Sequence, residues 1–126
     1  MSFESDMEAA YKKKVIGLQD KVVQKLTLDI QADLDKNTPR DTGRAASNWL
    51  GSVASPRNVY VEQFSGSPQI NFAGYKNGVS VYIANNLPYI KPLNSGHSKQ
   101  APAGFVEAAI QRNVNRVPSV VKAVIL

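Results

Sequence analysis

The sequence contains no cysteine and a single histidine, His97. Without thiols the chain cannot form disulfides or thiolate metal sites, and one imidazole falls short of the three or four ligands that zinc needs. The serines beside His97 do not indicate a catalytic triad, which needs a third orienting group and spatial convergence. We therefore expect no enzyme, and predict no catalytic residue, metal or cofactor.

Long apolar runs are also missing. No stretch approaches the roughly 20 apolar residues that cross a bilayer, and the start of the chain is charged from Glu4 onward, unlike a signal peptide. We expect no membrane partner. The apolar end, Val120 to Leu126, is too short to span a membrane, so we expect it to be buried in the protein or against a partner.

Acidic residues are scarce in the second part of the chain. Residues 1–44 hold eight bases and eight acids, whereas residues 45–126 hold seven bases against Glu62 and Glu107, and so carry the whole net charge of +5. Such a surface either faces an acidic partner, including DNA, or is simply solvated. We favour the solvated surface, because the bases are scattered and few aromatic residues lie among them.

The length of 126 residues and the 43% hydrophobic content fit one globular domain over residues 1–126. Residues 1–38 are predicted to form one long helix, from Phe3 to Asn37, because no proline interrupts it and Gly17 is its only glycine. Apolar residues recur there at steps of three or four and predict one buried side: Tyr11, Val15, Leu18, Val22, Leu26, Ile30 and Leu34. The polar residues predicted to lie opposite are Lys13, Asp20, Gln24, Gln31 and Asp35.

Such a helix is about 50 Å long at 1.5 Å per residue. That exceeds what one small domain needs to cover its core, so we expect one end to pack on another subunit. The alternative is a helix that frays, or that bends at Gly17.

Residues 39–101 are predicted to form a turn, a small antiparallel sheet and an exposed loop. Pro39 ends the helix, and Pro39, Asp41, Thr42 and Gly43 form a structural turn in which Gly43 supplies a positive φ. The elements predicted to follow are a short helical piece (Arg44 to Leu50), strands (Val59 to Phe64, Ile70 to Ala73, Val79 to Ala84), a hairpin turn (Lys76 to Gly78) and a long loop (Asn85 to Ala101).

Residues 102–126 are predicted to form a C-terminal helix that starts near Pro102 and breaks at Pro118. Its predicted apolar stripe is Val106, Ile110, Val114 and Val117. The fold class is therefore α+β: a long N-terminal helix, a small antiparallel β-sheet and a C-terminal helix.

Two segments resemble a known family. Asn37 to Arg44, followed by Ala45 to Trp49, is similar to the "TP-x-DTG-x-L-x-x-S-W" signature of tailed-bacteriophage neck proteins. These are minor tail, tail-completion or head–tail joining proteins, including the lambda Z type. The second segment runs from Val81 to Phe105. In it Asn85 (or Asn86), Tyr89 and Gly96 resemble the family's pattern of Asn, Tyr-Ala and Glu-x-Gly, and Ser98 to Phe105 resembles its "SKQAPAG" stretch. The predicted order of long helix, turn, sheet, glycine loop and final helix is also similar to that of the family. The departures are Ala45-Ala46 in place of a leucine, Ile90 in place of an alanine, and Asn94 in place of an acid.

The resemblance implies a structural virion protein that forms a ring at the neck, with a hexamer as the expected size. It implies contacts with other neck and tail proteins: a head-completion or stopper protein, the tail terminator and the tail tube. The chain would be found in the virion tail, and in the host cytoplasm during assembly. The candidate interface residues are Trp49, Tyr89, Gly96, His97, Ser98, Lys99, Gln100, Pro102 and Phe105. For Trp49 and Tyr89 a place in the core is the alternative.

Genomic DNA passes through such a junction, so the following basic side chains are candidates to face the DNA: Lys76, Lys91, Lys99, Arg112 and Arg116. Two alternatives to the tail-completion or head–tail joining protein stay open. One is a tail terminator that caps the tail tube. The other, from a different class, is a small DNA-binding regulator. The regulator would need a clearly basic recognition helix, and the C-terminal helix offers only Arg112 and Arg116.

Overall fold

The computed structural model describes residues 2–40, 43–62, 64–96, 101–119 and 121, apart from the side chain of Lys12. The elements follow in the order of helix α1 (Phe3–Tyr11), a π-helical turn (Lys12–Ile16), helix α2 (Gly17–Asn37), a 3-10 turn (Ala46–Asn48), strands β1 (Leu50–Val53) and β2 (Val81–Ala84), and helices α3 (Ile90–Asn94) and α4 (Phe105–Asn115). The α+β class, with a long N-terminal helix, a small antiparallel sheet and a C-terminal helix, is confirmed.

The long helix runs without a break from Phe3 to Asn37, as predicted, with the π-helical turn joining α1 to α2. It ends at Thr38, whose backbone is extended because proline disfavours helical geometry in the residue before it. The Thr38 amide still donates to the Leu34 carbonyl at 3.0 Å. The hydroxyl of Thr38 donates to the same carbonyl, so the last turn of the helix is closed.

The sheet has two antiparallel strands, with Leu50 opposite Ala84 and Val53 opposite Val81. β1 begins where a helical piece was predicted, and that piece is reduced to the 3-10 turn. No strand pairing occurs at 59–62, 64 or 70–73 within the described residues, so two predicted strands were wrong. The prediction had placed strands there from local alternation, whereas the strand that pairs with β2 comes from earlier in the chain.

The Lys76–Gly78 turn forms, with the Val79 amide donating to the Lys76 carbonyl at 3.0 Å and Gly78 at a φ of 91°. It does not form the predicted hairpin, because β2, which follows it, pairs with β1. Its side chains turn instead to the long helix. Asn77 donates to the Asp20 carboxylate at 3.2 Å, so the turn is held against α2.

The core lies where α2, α4 and the start of the sheet meet. Its buried members are Leu34, Trp49, Ala101, Phe105 and Ala109. Gln31 was predicted on the outward side of the helix but is buried. Its amide donates to the carbonyls of Trp49 at 2.8 Å and Pro68 at 3.1 Å. The prediction was wrong because a glutamine whose amide is hydrogen-bonded to two backbone carbonyls is stable in the interior of the protein.

The C-terminal helix α4 begins at Phe105, three residues after Pro102, and buries a different face from the predicted one. Its buried residues are Phe105, Ala109 and Asn113, whereas Ile110 and Val114 of the predicted stripe are 42% and 45% exposed. The predicted loop from Asn85 to Ala101 contains α3. None of the described helices is long and apolar enough to cross a membrane.

Candidate functional site

The predicted structural turn holds the end of α2 against the following chain. Pro39 and Gly43 are buried, and Gly43 has a φ of 89°, which glycine adopts without strain. A side chain at Gly43 would also collide with the carbonyl of Phe64. Asp41 and Thr42 lie outside the described residues.

Two of the candidate interface residues are part of the chain's own core. Trp49 and Phe105 are only 5% and 4% exposed, and the indole N–H of Trp49 donates to the Thr38 hydroxyl at 2.8 Å. Side chains that are buried in the core, with their hydrogen bonds made inside the chain, have no surface left for a partner. Of the two places expected for Trp49, core or interface, the structure has the core, and the expectation that Phe105 faces a partner is corrected.

The other candidate interface residues lie around α3 and the start of α4. Tyr89, Gly96 and Pro102 are exposed, and Gly96 has a φ of 90°. His97, Ser98, Lys99 and Gln100 lie outside the described residues.

Asn94 holds the start of α4. Its Oδ1 accepts the Val106 amide at 3.0 Å, and its Nδ2 donates to the Glu107 carboxylate at 3.0 Å. The hydrogen bond from Asn94 lowers the pKa of Glu107. Asn94 thus positions α4, and its contacts are within the chain.

The candidate DNA-facing residues do not form one uniformly basic surface. Lys76, Lys91, Arg112 and Arg116 are exposed, while Lys99 is not described. Arg112 and Arg116 line one cleft between α2 and α4, together with Lys36 and two acids, Asp29 and Asp33. A cleft of mixed charge attracts a phosphate backbone less strongly than a basic one does.

Asp33 ties α4 to α2 at this cleft. Its carboxylate accepts hydrogen bonds from Arg112 Nη2 at 2.7 Å and from Asn113 Nδ2 at 2.9 Å. The Arg112 hydrogen bond, supported by those from Asn113 and Asn37, holds the pKa of Asp33 below its ordinary value, although burial opposes the shift. Arg112 is therefore engaged within the chain as well as exposed.

We expect Asp33→Asn to lower the free energy of unfolding by about 1 kcal/mol at neutral pH, a modest value because Arg112 is half exposed. The pKa of Asp33 is lower in the folded chain than in the unfolded chain, where it is about 3.9. The contribution of Asp33 to stability is therefore fully present above the pKa of the unfolded chain and is lost as the pH falls through the pKa of the folded chain. Urea unfolding across pH 2–7 tests this at about five pH values. Asp29→Asn, which removes an exposed pair with Lys25, is the matched control. An equal effect of both variants, or a D33N difference that persists at the lowest pH, would contradict the role of Asp33.

Helix α1 and the π-helical turn form an arm (Phe3–Ile16) with an exposed apolar stripe. The stripe consists of Phe3, Met7, Tyr11 and Val15, which are 78%, 56%, 56% and 39% exposed. They are spaced four apart, so they lie along one side of the helix. Among the described residues α1 has no buried side chain. The residues predicted as the buried side of the helix are therefore buried in part only, and Tyr11 and Val15 face solvent.

A second apolar surface, the groove, runs between α2, β2 and α4. It consists of two clefts, of about 670 Å³ and 370 Å³, that share Val23 and Val81. Apolar side chains supply most of its walls: Leu18, Val22, Val23, Leu26, Ile30, Leu34, Trp49, Val79, Val81, Ile83, Val106, Ile110 and Val121. Val121 belongs to the chain's own apolar end, whose other residues, 120 and 122–126, lie outside the described residues. The sequence predicted most of the side chains in these walls to lie on the apolar sides of helices and strands, but as parts of the core and not of a groove. Contiguous exposed apolar surface marks sites that bind other proteins or membranes.

In the described part of the chain, no group of three or more His, Cys, Asp or Glu side chains is placed to hold a metal ion. No protein-family model matches the chain, and no curated protein or solved structure is significantly similar to it. The surfaces described above are therefore what indicates function, and they are suited to binding protein.

Proposed function

We propose that the chain is a structural virion protein of a tailed bacteriophage. It would act as a tail-completion or head–tail joining subunit that forms a ring, a hexamer by expectation, at the neck. Its role would be geometric: to close the head-proximal end of the tail and to present a surface to which the head docks. Its partners would be further copies of itself and other neck and tail proteins.

The exposed stripe on the arm carries this proposal. Four large apolar side chains on 14 residues of helix, with none of α1 buried, have no use in an isolated domain. In proteins most helical stability comes from packing of an apolar face. An arm of this kind is stabilised when it packs on another protein, as in a subunit of an assembly.

Two further observations support the phage neck in particular. The sequence segments at 37–49 and 81–105 resemble those of neck proteins, and the elements follow the order that the resemblance implies: long helix, turn, sheet, final helix. The turn at Pro39 and Gly43, with Trp49 packed behind it, has a structural purpose that explains why such a segment would recur in a family of subunits.

Removal of the coding sequence from the genome that carries it, followed by electron microscopy of the lysate, tests the proposal. We expect filled heads and separate tails of normal length, and joined, infectious particles when the purified protein is added back. Tails of abnormal length would indicate the alternative, a tail terminator. Normal infectious particles without the protein would contradict both functions.

Passing genomic DNA is a further proposed contact, through Lys76, Lys91, Lys99, Arg112 and Arg116. Replacing these bases by glutamine should leave assembly intact and impair the retention or passage of DNA. Loss of assembly would instead make them interface residues. A tight, sequence-specific complex of the free protein with short duplex DNA would favour the regulator.

A further inference from the structure

We infer that the stripe on the arm of one copy pairs with the same stripe of a second copy, with the two arms antiparallel about a two-fold axis near Ala9. The inference goes beyond the proposed function and does not rest on it. A two-fold contact joins the same patch of two subunits, so it closes at two copies. The free protein is therefore a dimer, and a ring would be built through a second surface.

The long helix is held to the turn around Asn77 at the start of α2, and the arm precedes that contact. Asn77 donates to the Gln19 side chain at 3.2 Å, and Tyr75 donates to the Asp20 carboxylate at 3.3 Å. On the N-terminal side of this contact α1 buries no side chain among the described residues. Most helical stability in proteins comes from packing of an apolar face, so covering the stripe stabilises the arm.

The stripe is self-complementary when two arms run antiparallel. Its residues are four apart, so Phe3 and Val15 stand equally far from Ala9 along the chain, and so do Met7 and Tyr11. Pairing about Ala9 therefore sets Phe3 beside the second copy's Val15, and Met7 beside the second copy's Tyr11. Every exposed apolar side chain of the stripe meets another one, along a contact of about 18 Å at 1.5 Å per residue.

The charges of the arm select the antiparallel orientation. The first half of the arm has three acids and no base, and the second half has three bases and no acid: Glu4, Asp6, Glu8, Lys12, Lys13 and Lys14. Parallel arms would set acids beside acids and lysines beside lysines. Antiparallel arms set each acidic half beside a basic half, and charges that flank a pair of helices decide partner and orientation.

Asp6 and Lys14 are placed to pair across this contact. Each precedes a residue of the stripe by one position, Met7 or Val15, so both lie on the same margin of the stripe. A two-fold axis sets this margin of one copy against the same margin of the other. Asp6 then comes beside the second copy's Lys14, and the pair occurs twice. Both side chains are exposed, and within the described residues neither makes an ion pair.

Charge reversal on this margin tests the pairing. We expect the wild type to form dimers in sedimentation equilibrium. Asp6→Lys and Lys14→Glu should each weaken dimerisation by about 10-fold, because two exposed ion pairs become two like-charge contacts. A chain that carries both changes should dimerise like the wild type, since the pair is restored with its charges exchanged. Lys13→Glu, two positions away from the nearest stripe residues, is the matched control and should change dimerisation by less than about 2-fold.

Charge placed on the stripe itself tests the apolar contact. Met7→Asp with Tyr11→Asp should weaken dimerisation by at least about 100-fold, because a carboxylate would be buried against apolar side chains. Ser5→Asp with Ala9→Asp adds the same charge on the opposite side of α1 and should dimerise like the wild type. Neither variant should lower the free energy of unfolding of the monomer. A stripe variant that is destabilised as a monomer would show that the chain covers its own stripe, which overturns the inference.

Cysteine crosslinking identifies the orientation of the arms without added charge. The chain has no native cysteine, so Phe3→Cys protein mixed with Val15→Cys protein can form only introduced disulfides, which need Cα atoms within about 7 Å. We expect mixed dimers, recognised by their intact mass, and the same from Met7→Cys mixed with Tyr11→Cys. Like-with-like dimers of Phe3→Cys would mean parallel arms. Self-association without any disulfide would mean that the arm binds another surface. Either result, or a wild type that stays monomeric at all concentrations, overturns the inference and leaves the proposed neck function standing.

Discussion

Replacement of Trp49 by alanine is expected to lower the free energy of unfolding by about 3–5 kcal/mol, the usual loss for a buried aromatic side chain. The indole is 5% exposed and packs in the core with Leu34 and Phe105. Its N–H also closes the turn after α2, through the Thr38 hydroxyl. Because Trp49 is the single tryptophan, unfolding in urea is best followed by far-ultraviolet circular dichroism.

Trp49→Phe is the matched variant, because it keeps an aromatic ring and removes the hydrogen bond. We expect Trp49→Phe to lower the free energy of unfolding by about 1–2 kcal/mol. The loss stays this small because the Thr38 hydroxyl keeps its hydrogen bond to the Leu34 carbonyl. Both variants should be measured at one fixed protein concentration, because self-association adds to apparent stability. An alanine variant as stable as the wild type, with altered assembly instead, would return Trp49 to the interface.

Asn48→Ala is expected to lower the free energy of unfolding by about 2–4 kcal/mol, because it removes three hydrogen bonds between a buried side chain and partly buried backbone groups. Asn48 is fully buried. Its amide donates to the carbonyls of Arg44 at 2.7 Å and Val61 at 3.0 Å, and its oxygen accepts the Val61 amide at 2.7 Å. One side chain thus takes the place of a strand partner for residue 61.

Asn86→Ala is the control for this prediction. Asn86 makes a similar pair of hydrogen bonds, to the carbonyls of Arg57 at 2.8 Å and Val59 at 3.1 Å, but it is exposed. Water can replace it, so the loss should stay below about 0.5 kcal/mol. Hydrogen exchange of the Val61 amide should accelerate in the Asn48 variant alone. Equal losses in the two variants would mean that burial does not decide the value of these contacts.

Asn48 also explains why the strand prediction failed at residues 59–64. The alternation there is typical of a strand, yet pairing depends on which backbone lies alongside. Asn48 and Asn86 supply that pairing with side-chain amides, which no periodicity in the sequence indicates. The long helix was predictable because its signals are local: an uninterrupted apolar repeat and a proline at its end. β1 was missed because its partner is about 30 residues away.

The sequence predicts most of the apolar residues that form the stripe and the groove, but not which of them are exposed. The apolar repeat from Tyr11 to Leu34 is plain in the sequence. The length of the helix suggested that one end packs on another subunit, which stays a prediction. Which residues leave the domain is a tertiary property. It depends on where other parts of the chain contact the helix, as Tyr75 and Asn77 do at Asp20. α4 was misjudged for the same reason, because Asn113 is buried by its bond to Asp33 at 2.9 Å and this turns Ile110 outward.

Immunogold labelling of particles from cells that carry the encoding genome tests the proposed place of the protein at the neck. Antibodies should be raised against residues 54–60, which are exposed and contain none of the candidate interface residues, so that contacts at the neck do not hide the epitope. We expect label confined to the junction of head and tail, and none on tails made without the coding sequence. Label along the tail shaft, on the head surface, or only on cellular DNA would contradict the proposed place.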